Sequence, residues 1–225
     1  AGRRRGRAAP ARWRWGTRQR WSTVRAAPPA PTPNVCWPLL TPVPLAPEAF
    51  TPAEAKRLMA ALLEEVPWDC KEVWVHGRKC MQPRKVAYMA DDPAMTYSYS
   101  RLLLVPSPWS PSALEVKRRA EALAGAQFNS CLLNLYRDGG DNMGWHADNE
   151  AVYGSEPTIG SVTFGAERDF VLRRNEDHRD KVSYRLESGS VLVMRGRVQE
   201  EWMHALPKRA GVAGARVNLT FRRIM

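Results

Sequence analysis

Arg216-Val217-Asn218-Leu219-Thr220-Phe221-Arg222 is the stretch on which the reading of this 225-residue chain turns. Successive side chains of a β-strand point to opposite faces. Arg216, Asn218, Thr220 and Arg222 therefore share one face, and Val217, Leu219 and Phe221 the other. Half-buried strands alternate in this way, but they rarely set an amide and a hydroxyl between two arginines. The polar face suits a small dianion, because a guanidinium can grip one carboxylate bidentately while the neighbouring donors fix the rest of the molecule.

Two upstream segments fit the same site. In Cys131-Leu-Leu-Asn134-Leu-Tyr136, Asn134 and Tyr136 fall on one strand face and Cys131, Leu133 and Leu135 on the other. Asn134 and Tyr136 either hydrogen-bond a ligand carboxylate or form a solvated polar face. His146 and Asp148 lie two apart, so on a strand end both project to one side. With the distant His204 they make a 2-His-1-carboxylate triad, which leaves three cis positions on Fe(II) for a bidentate 2-oxo acid and dioxygen. A His-x-Asp pair alone is common. Here the chain has only four histidines, His76, His146, His178 and His204. Two of them fall in the pattern, and the polar strand follows His204 within a dozen residues. A zinc site lacks support, because no Cys-x-x-Cys or His-rich pairing accompanies the triad.

The fold reading starts at Thr51-Pro52-Ala53-Glu54, a capping box with proline at the first helical position. Leu58, Leu62 and Leu63 give that helix an apolar side. A second helix is predicted to start at a capping box, Ser112-x-x-Glu115, and to end near Gly125. Beyond about residue 128 the signals are short strands between Gly, Asp and Asn turns, such as Val191–Met194 after Ser188-Gly189-Ser190. Two helices ahead of a run of strands predict an α+β fold. In it the N-terminal helices pack outside a double-stranded β-helix (jelly roll) whose mouth collects the polar strand faces around a metal.

Five segments together carry a family resemblance. They are Asn134-Leu-Tyr136-Arg137-Asp138-Gly139-Gly140, Trp145-His146-Ala147-Asp148-Asn149-Glu150, Ser161 to Phe170, His204-Ala-Leu-Pro207 and Arg216 to Arg222. The chain resembles the AlkB-type Fe(II)/2-oxoglutarate nucleic-acid demethylases over roughly residues 65–225, and within them the eukaryotic nuclear member that repairs double-stranded DNA. The resemblance implies that His146, Asp148 and His204 hold iron and that Asn134, Tyr136, Arg216, Asn218, Thr220 and Arg222 bind 2-oxoglutarate. It places Arg222 on the distal carboxylate and Arg216 nearer the iron. Pro83-Arg84-Lys85 and Tyr97-Ser98-Tyr99 match the segments that enclose a flipped base, joined by Asn149 and Glu150, and Val75-His76-Gly77 matches a hairpin that wedges into the duplex. The chain departs from the family at His76, where an aromatic ring is usual, and at Asn149, where an acid is common. His76 is expected to intercalate in its neutral form. Arg78-Lys79 and Arg84-Lys85 are the basic pairs expected to meet phosphates, and Tyr97 and Tyr99 either stack on an extruded base or pack at a barrel rim.

The implied activity is direct-reversal DNA repair: oxidative removal of methyl groups from 1-methyladenine and 3-methylcytosine. It needs Fe(II), 2-oxoglutarate and dioxygen, with ascorbate as reductant in vitro. The alternatives are an RNA demethylase and a non-catalytic nucleic-acid-binding module. The expected partner is alkylated DNA, or RNA in the alternative, and the expected state is a monomer that does not engage a membrane. The expected location is the nucleus, or a mitochondrion or chloroplast if the N-terminal segment is a transit peptide.

Composition bounds the remainder. With 44% hydrophobic residues the chain can bury one sizeable core. No apolar run approaches the ~20 residues that span a bilayer. Cys36, Cys70, Cys80 and Cys131 show no tight spacing, which fits reduced thiols. Nine of the net +11 charges belong to residues 1–47, which hold nine arginines and neither lysine nor acid, so residues 48–225 carry only +2. Residues 1–47 read as a disordered basic segment with Trp13, Trp15 and Trp21 among its arginines and a proline-dense linker at its end. Non-specific phosphate contact, a transit peptide and a translated fragment are its open readings. Residues 48–225 read as the oxygenase domain.

Overall fold

The computed structural model describes residues 43–75 and 77–225. Helix α1 (Pro52–Glu65) forms as its sequence dictates. Thr51 Oγ1 accepts from the Glu54 backbone N–H at 3.3 Å, and Glu54 Oε2 accepts from the Thr51 N–H at 2.8 Å. Helix α2 (Pro111–Ala124) ends, as predicted, at Gly125, whose φ of 60° is the left-handed value glycine adopts freely. Its start differs from the prediction. Ser110 is the cap and Pro111 takes the first helical position. Ser112 and Glu115 close no capping box because both are used between helices. The Ser112 N–H and hydroxyl donate to Glu65 at 3.0 and 2.9 Å, and Glu115 accepts from Arg57 at 3.2 Å.

In chain order the strands are β1 (Leu45–Ala46), β2 (Asp69–Val75), β3 (Arg78–Ala90), β4 (Tyr97–Tyr99), β5 (Leu102–Leu104), β6 (Ser130–Tyr136) and β7 (Met143–His146). They continue as β8 (Ile159–Gly165), β9 (Arg168–Arg174), β10 (Lys181–Leu186), β11 (Ser190–Met194), β12 (Trp202–Leu206) and β13 (Arg216–Arg222), with the short helix α3 (Val198–Glu201) before β12. A seven-stranded sheet runs β1-β11-β8-β13-β6-β3-β2, a four-stranded sheet runs β10-β9-β12-β7, and β4 and β5 form a separate hairpin. Pairing within both large sheets is antiparallel. The two sheets make the jelly roll.

The central strands of the large sheet, β11, β8, β13 and β6, are buried on both faces. The sheet's outer face, including Met89, Leu133, Phe164, Val193 and Leu219, meets Leu58 and Leu62 of α1 and Val116 and Ala120 of α2 in one apolar core. Each such fully buried side chain contributes about 1.5–3 kcal/mol. Its inner face meets the small sheet, and a second core of Ile159, Leu172, Leu186, Leu192 and Trp202 fills part of that space. Strand β13 lies between β8 and β6, with Asn218 opposite Thr163 on one side and Asn134 on the other. All seven of its residues are buried. The polar face of the stretch Arg216–Arg222 is therefore an interior surface, and it must find its partners inside the protein or in a ligand.

Strand structure also precedes residue 128. The β2–β3 hairpin hides from periodicity because Pro83 interrupts it and its register shifts between Cys70 and Glu72. The fold begins ahead of residue 48. Val43 is buried, and Leu45 and Ala46 pair with Leu192 and Val191, a sheet edge where Pro44 and Pro47 are tolerated. Residues 1–42, His76 and the side chain of Val75 lie outside the described residues. Among the described residues no helix is long and apolar enough to cross a membrane.

Candidate active site

His146 ends β7 and lies opposite His204 of β12 across the small sheet. Asp148 follows on the segment leaving β7. His146 Nε2 and His204 Nε2 each sit 3.9 Å from an Asp148 carboxylate oxygen, and the potential ligand atoms of all three residues lie within 4.8 Å of one another. The Gly144 carbonyl accepts from His146 Nδ1 at 2.9 Å. A carbonyl only accepts, so Nδ1 carries the proton and the Nε2 lone pair faces the triad, as a metal ligand requires. Burial pushes the His204 imidazole down to about 3, with His146 adding to the effect, so it stays neutral. Burial alone would raise the Asp148 carboxyl; the charged Arg222 guanidinium, hydrogen-bonded to it, holds it far below the ordinary range. Two imidazoles and one carboxylate are the donor set of a facial iron triad.

The two arginines of β13 stand at opposite ends of the polar face, and the geometry reverses their expected order. Arg222 Nη2 donates to Asp148 Oδ2 at 2.7 Å, both side chains buried, so this guanidinium belongs to the metal end. Arg216 Nη2 donates to Thr163 Oγ1 at 2.8 Å, and its guanidinium lies 5.2 Å from the Tyr136 ring centre. No carboxylate pairs with Arg216 among the described residues, and its Nε is buried without a hydrogen-bond partner. Burial pushes its guanidinium down to about 10. A buried cation without a counter-ion is costly, and an anionic group arriving there offsets that cost. The resemblance misplaced the arginines because it carries roles by spacing, while the triad carboxylate captures the nearer one.

Between the two arginines the face is locked. Asn218 Nδ2 donates to Ser161 Oγ at 2.9 Å and to the Val162 carbonyl at 3.0 Å, and Asn218 Oδ1 accepts from Thr220 Oγ1 at 3.1 Å. Arg84 Nε donates to Asn134 Oδ1 at 2.8 Å, which leaves the Asn134 amide N–H groups for a ligand. Arg84 is buried in that bond, so it does not reach a phosphate outside. Arg78 and Lys79 are exposed, Lys79 being paired with Glu72.

These groups line one cavity of about 680 Å³. Its inner wall is Asn134, Tyr136, Ser161, Arg216, Asn218, Thr220 and Arg222, and the triad lies beside them. Its outer wall brings in Gln82, Tyr97, Ser98, Tyr99, Trp145 and Glu150. The Tyr97 hydroxyl donates to Glu150 Oε1 at 2.6 Å, and its ring packs with Tyr88, Tyr99 and Tyr153. Tyr97 is thus buried in a small aromatic core, while Tyr99 is partly open and accepts from Gln82 Nε2 at 2.7 Å. Glu150 Oε2 is buried with no hydrogen-bond partner. Asn149 is exposed and Gly77 is exposed, and neither lines the cavity. His76 and the Val75 side chain, expected in the wedge, are outside the described residues.

Some residues of the site carry no sequence signal strong enough to find them. Buried Gln199 of α3 accepts from the Asp148 backbone N–H through Oε1 at 2.8 Å and so fixes the segment that carries the triad carboxylate. Arg168 is among the most buried side chains and donates to the carbonyls of Asp138, Asp141 and Pro207 at 3.1, 2.9 and 2.6 Å. It joins two loops at the Arg216 end. Its place inside a quoted motif was the available signal.

The 2OG-Fe(II) oxygenase superfamily model matches residues 42–222. The chain is 37% identical over 187 residues to DNA oxidative demethylase ALKBH2 of Arabidopsis thaliana, covering 72% of this chain and 60% of that protein. It is 39% identical to ALKBH2 of Bos taurus (78% and 66% covered) and 37% identical to alpha-ketoglutarate-dependent dioxygenase alkB homolog 3 of Homo sapiens (76% and 62%). The chain spans about 60% of the length of the Arabidopsis relative. A solved structure of OsALKBH1 superposes with a TM-score of 0.58 at 15% identity, covering 81% of this chain and 98% of that one, a likeness of fold.

Proposed function

This chain belongs to the 2OG-Fe(II) oxygenase superfamily, and from that premise we propose that it is an oxidative demethylase of alkylated bases in DNA. It is a dioxygenase whose cofactors are Fe(II) and 2-oxoglutarate. The observation that carries the finer reading is the cavity's division into two unlike halves on either side of the triad. One half is a buried cationic face that suits a dicarboxylate. The other is ringed by Tyr97, Tyr99 and Trp145 and holds the unpartnered Glu150 Oε2. A planar base fits between aromatic walls. 1-Methyladenine and 3-methylcytosine carry positive charge at neutral pH, so a buried carboxylate oxygen favours them over the unmethylated bases. ALKBH2 proteins of several organisms, at 37–39% identity, are named for DNA oxidative demethylation.

In this reading His146, Asp148 and His204 hold the iron, and Arg216, Tyr136 and Asn134, which line the cavity, receive the carboxylates of 2-oxoglutarate. When bound, iron and 2-oxoglutarate supply the oxidation of the methyl group, after which the hydroxymethylated base releases formaldehyde. The protein's own part is positional. Arg222 neutralises and aims Asp148, Gln199 fixes the Asp148 backbone, and Tyr97 orients Glu150 toward the base. Exposed Arg78 and Lys79 on the hairpin meet the phosphates. The enzyme acts as a monomer in the nucleus.

The test is incubation with Fe(II), 2-oxoglutarate, ascorbate and a DNA oligonucleotide carrying one 3-methylcytosine, followed by nucleoside chromatography. Cytosine should replace 3-methylcytosine with the wild type and not with His204→Ala. Unchanged 3-methylcytosine under conditions where 2-oxoglutarate is consumed overturns the substrate assignment.

A further inference from the structure

Among the described residues, four tryptophans carry a cation over the indole, and they divide into two kinds. Arg174 lies 4.5 Å from the ring centre of Trp202, and Lys117 lies 5.8 Å from that of Trp109. Both of these cations are neutralised: Arg174 by Asp180 and Glu201, Lys117 by Glu121. Trp202 is buried, and Trp109 Nε1 donates to Asp91. These two pairs serve packing.

The other two pairs sit on or beside the edge strands that border the cavity, and of their four residues Trp145 lines it. Arg101 lies 5.3 Å from the ring centre of Trp74, and Arg173 lies 4.4 Å from that of Trp145. Neither guanidinium has a carboxylate partner among the described residues, and the tryptophans are 42% and 36% exposed. Trp74 is on β2 and Trp145 on β7, the terminal strands of the two sheets. Trp145 lines the cavity. The Trp74 N–H donates at 3.2 Å to the carbonyl of Ser100, which also lines it.

The backbone gives a second, independent sign. Ser100 and Arg101 form the two-residue turn between β4 and β5, with φ of 46° and 61°. Turns with positive φ at both positions usually take Asn-Gly, and non-glycine residues held there are strained unless their surroundings fix them. Arg101 is exposed, so burial of its side chain does not offset that strain. What the conformation achieves is to set the guanidinium over Trp74.

We propose that Trp74–Arg101 and Trp145–Arg173 are two stacking platforms that receive the unpaired nucleotides on either side of the base in the cavity. Together they grip a single-stranded stretch of the substrate nucleic acid. The inference rests on the demethylase reading above and adds which strand state the mouth is built for. An indole offers a stacking surface to any base, and a guanidinium without a counter-ion is available to the adjacent phosphate. Bases in a duplex are already stacked on their neighbours, so only an unpaired strand can lay both flanking bases on these rings.

The experiment is fluorescence anisotropy with a labelled single-stranded oligonucleotide carrying 3-methylcytosine at its centre. It uses the full chain and Trp74→Ala, Trp145→Ala, the two Trp→Phe variants, Arg101→Gln and Arg173→Gln. Each alanine should weaken binding on the order of 5- to 150-fold, and each phenylalanine should retain most of the affinity. Each glutamine should flatten the slope of log affinity against log salt by about 0.7. Wild-type affinity in both alanine variants, or a phenylalanine as damaging as alanine, overturns the proposal. Should an alanine variant fail to fold, the salt slopes decide: unchanged slopes overturn it and flattened slopes support it. Turnover by the same preparations separates the two readings. Weakened binding beside an inactive wild type leaves the platforms standing and removes the demethylase. An active wild type whose alanine variants bind normally does the reverse.

Discussion

The inner end of the cavity and its mouth are built from different materials. Inside, Arg216, Asn218, Thr220 and Arg222 are buried and held by Thr163, Ser161 and Asp148 on neighbouring elements. At the mouth, Trp74, Met81 and Trp145 stay exposed, and Arg78, Arg101 and Arg173 have no carboxylate partner among the described residues. The inner end suits ligands of fixed size, a metal ion and a small dicarboxylate, for which preorganisation in a desolvated site gives both affinity and orientation. The mouth suits a polymer whose contacts are many, individually modest and salt-dependent. Substitutions inside should therefore change metal and co-substrate parameters, and substitutions at the mouth should change nucleic-acid parameters.

The largest effect is expected at the junction of Asp148 and Arg222. Asp148→Ala removes an iron ligand and leaves the buried Arg222 guanidinium unpaired. Turnover should fall below detection, and the metal-free protein should lose roughly 3–5 kcal/mol of stability. At about 2–4 °C per kcal/mol for a chain of this size, differential scanning calorimetry should read a clear drop in Tm. A variant that binds iron and melts like the wild type would show that this buried pair does not organise the inner end.

Next comes Arg216→Ala. A hydrogen bond to a charged group is worth about 1.5–3 kcal/mol, or on the order of 10- to 150-fold. The KM for 2-oxoglutarate should rise by that factor while oligonucleotide affinity holds. An unchanged KM would return the distal carboxylate to another residue and undo the assigned order of the two arginines. Gln199→Leu is smaller and indirect: the Asp148 N–H loses its acceptor, and iron affinity should fall about 10- to 100-fold, the range for groups that orient ligands. Metal titration reads this directly, and a change in oligonucleotide affinity instead would place Gln199 with the mouth. The smallest change expected is in Tyr97→Phe, which removes one hydrogen bond to Glu150 and leaves its carboxylate in place. Turnover of methylated oligonucleotide should fall about 2- to 12-fold, with the KM for 2-oxoglutarate constant.

The same contrast explains what could be read in the sequence. Strand β13 announced itself because both of its faces are buried and each imposes a period of two, so Arg216 to Arg222 and Asn134 with Tyr136 stood out. The triad was legible because iron needs three donors of fixed type. The order of Arg216 and Arg222 along the cavity was not legible, because spacing is symmetric and only the position of Asp148 breaks the symmetry. The mouth was mostly hidden. The β2–β3 hairpin is irregular at Pro83 and half exposed, so neither face imposes alternation. Arg84 reads as a surface cation and is buried only because Asn134 meets it. Ser112 and Glu115 satisfy a capping pattern, yet Glu65 and Arg57 compete for them across a helix pair that sequence separation conceals. Gln199 acts through a backbone N–H and leaves no side-chain pattern at all.

One assay reads the coupling between the two ends of the cavity. Succinate and formaldehyde are measured together from the same reaction, with Fe(II) and 2-oxoglutarate, over oligonucleotides with and without 3-methylcytosine. Equal amounts of the two products are expected with the methylated strand, and only slow succinate formation without it. Succinate formed at the same rate with or without the methylated base, and no formaldehyde, would contradict that coupling.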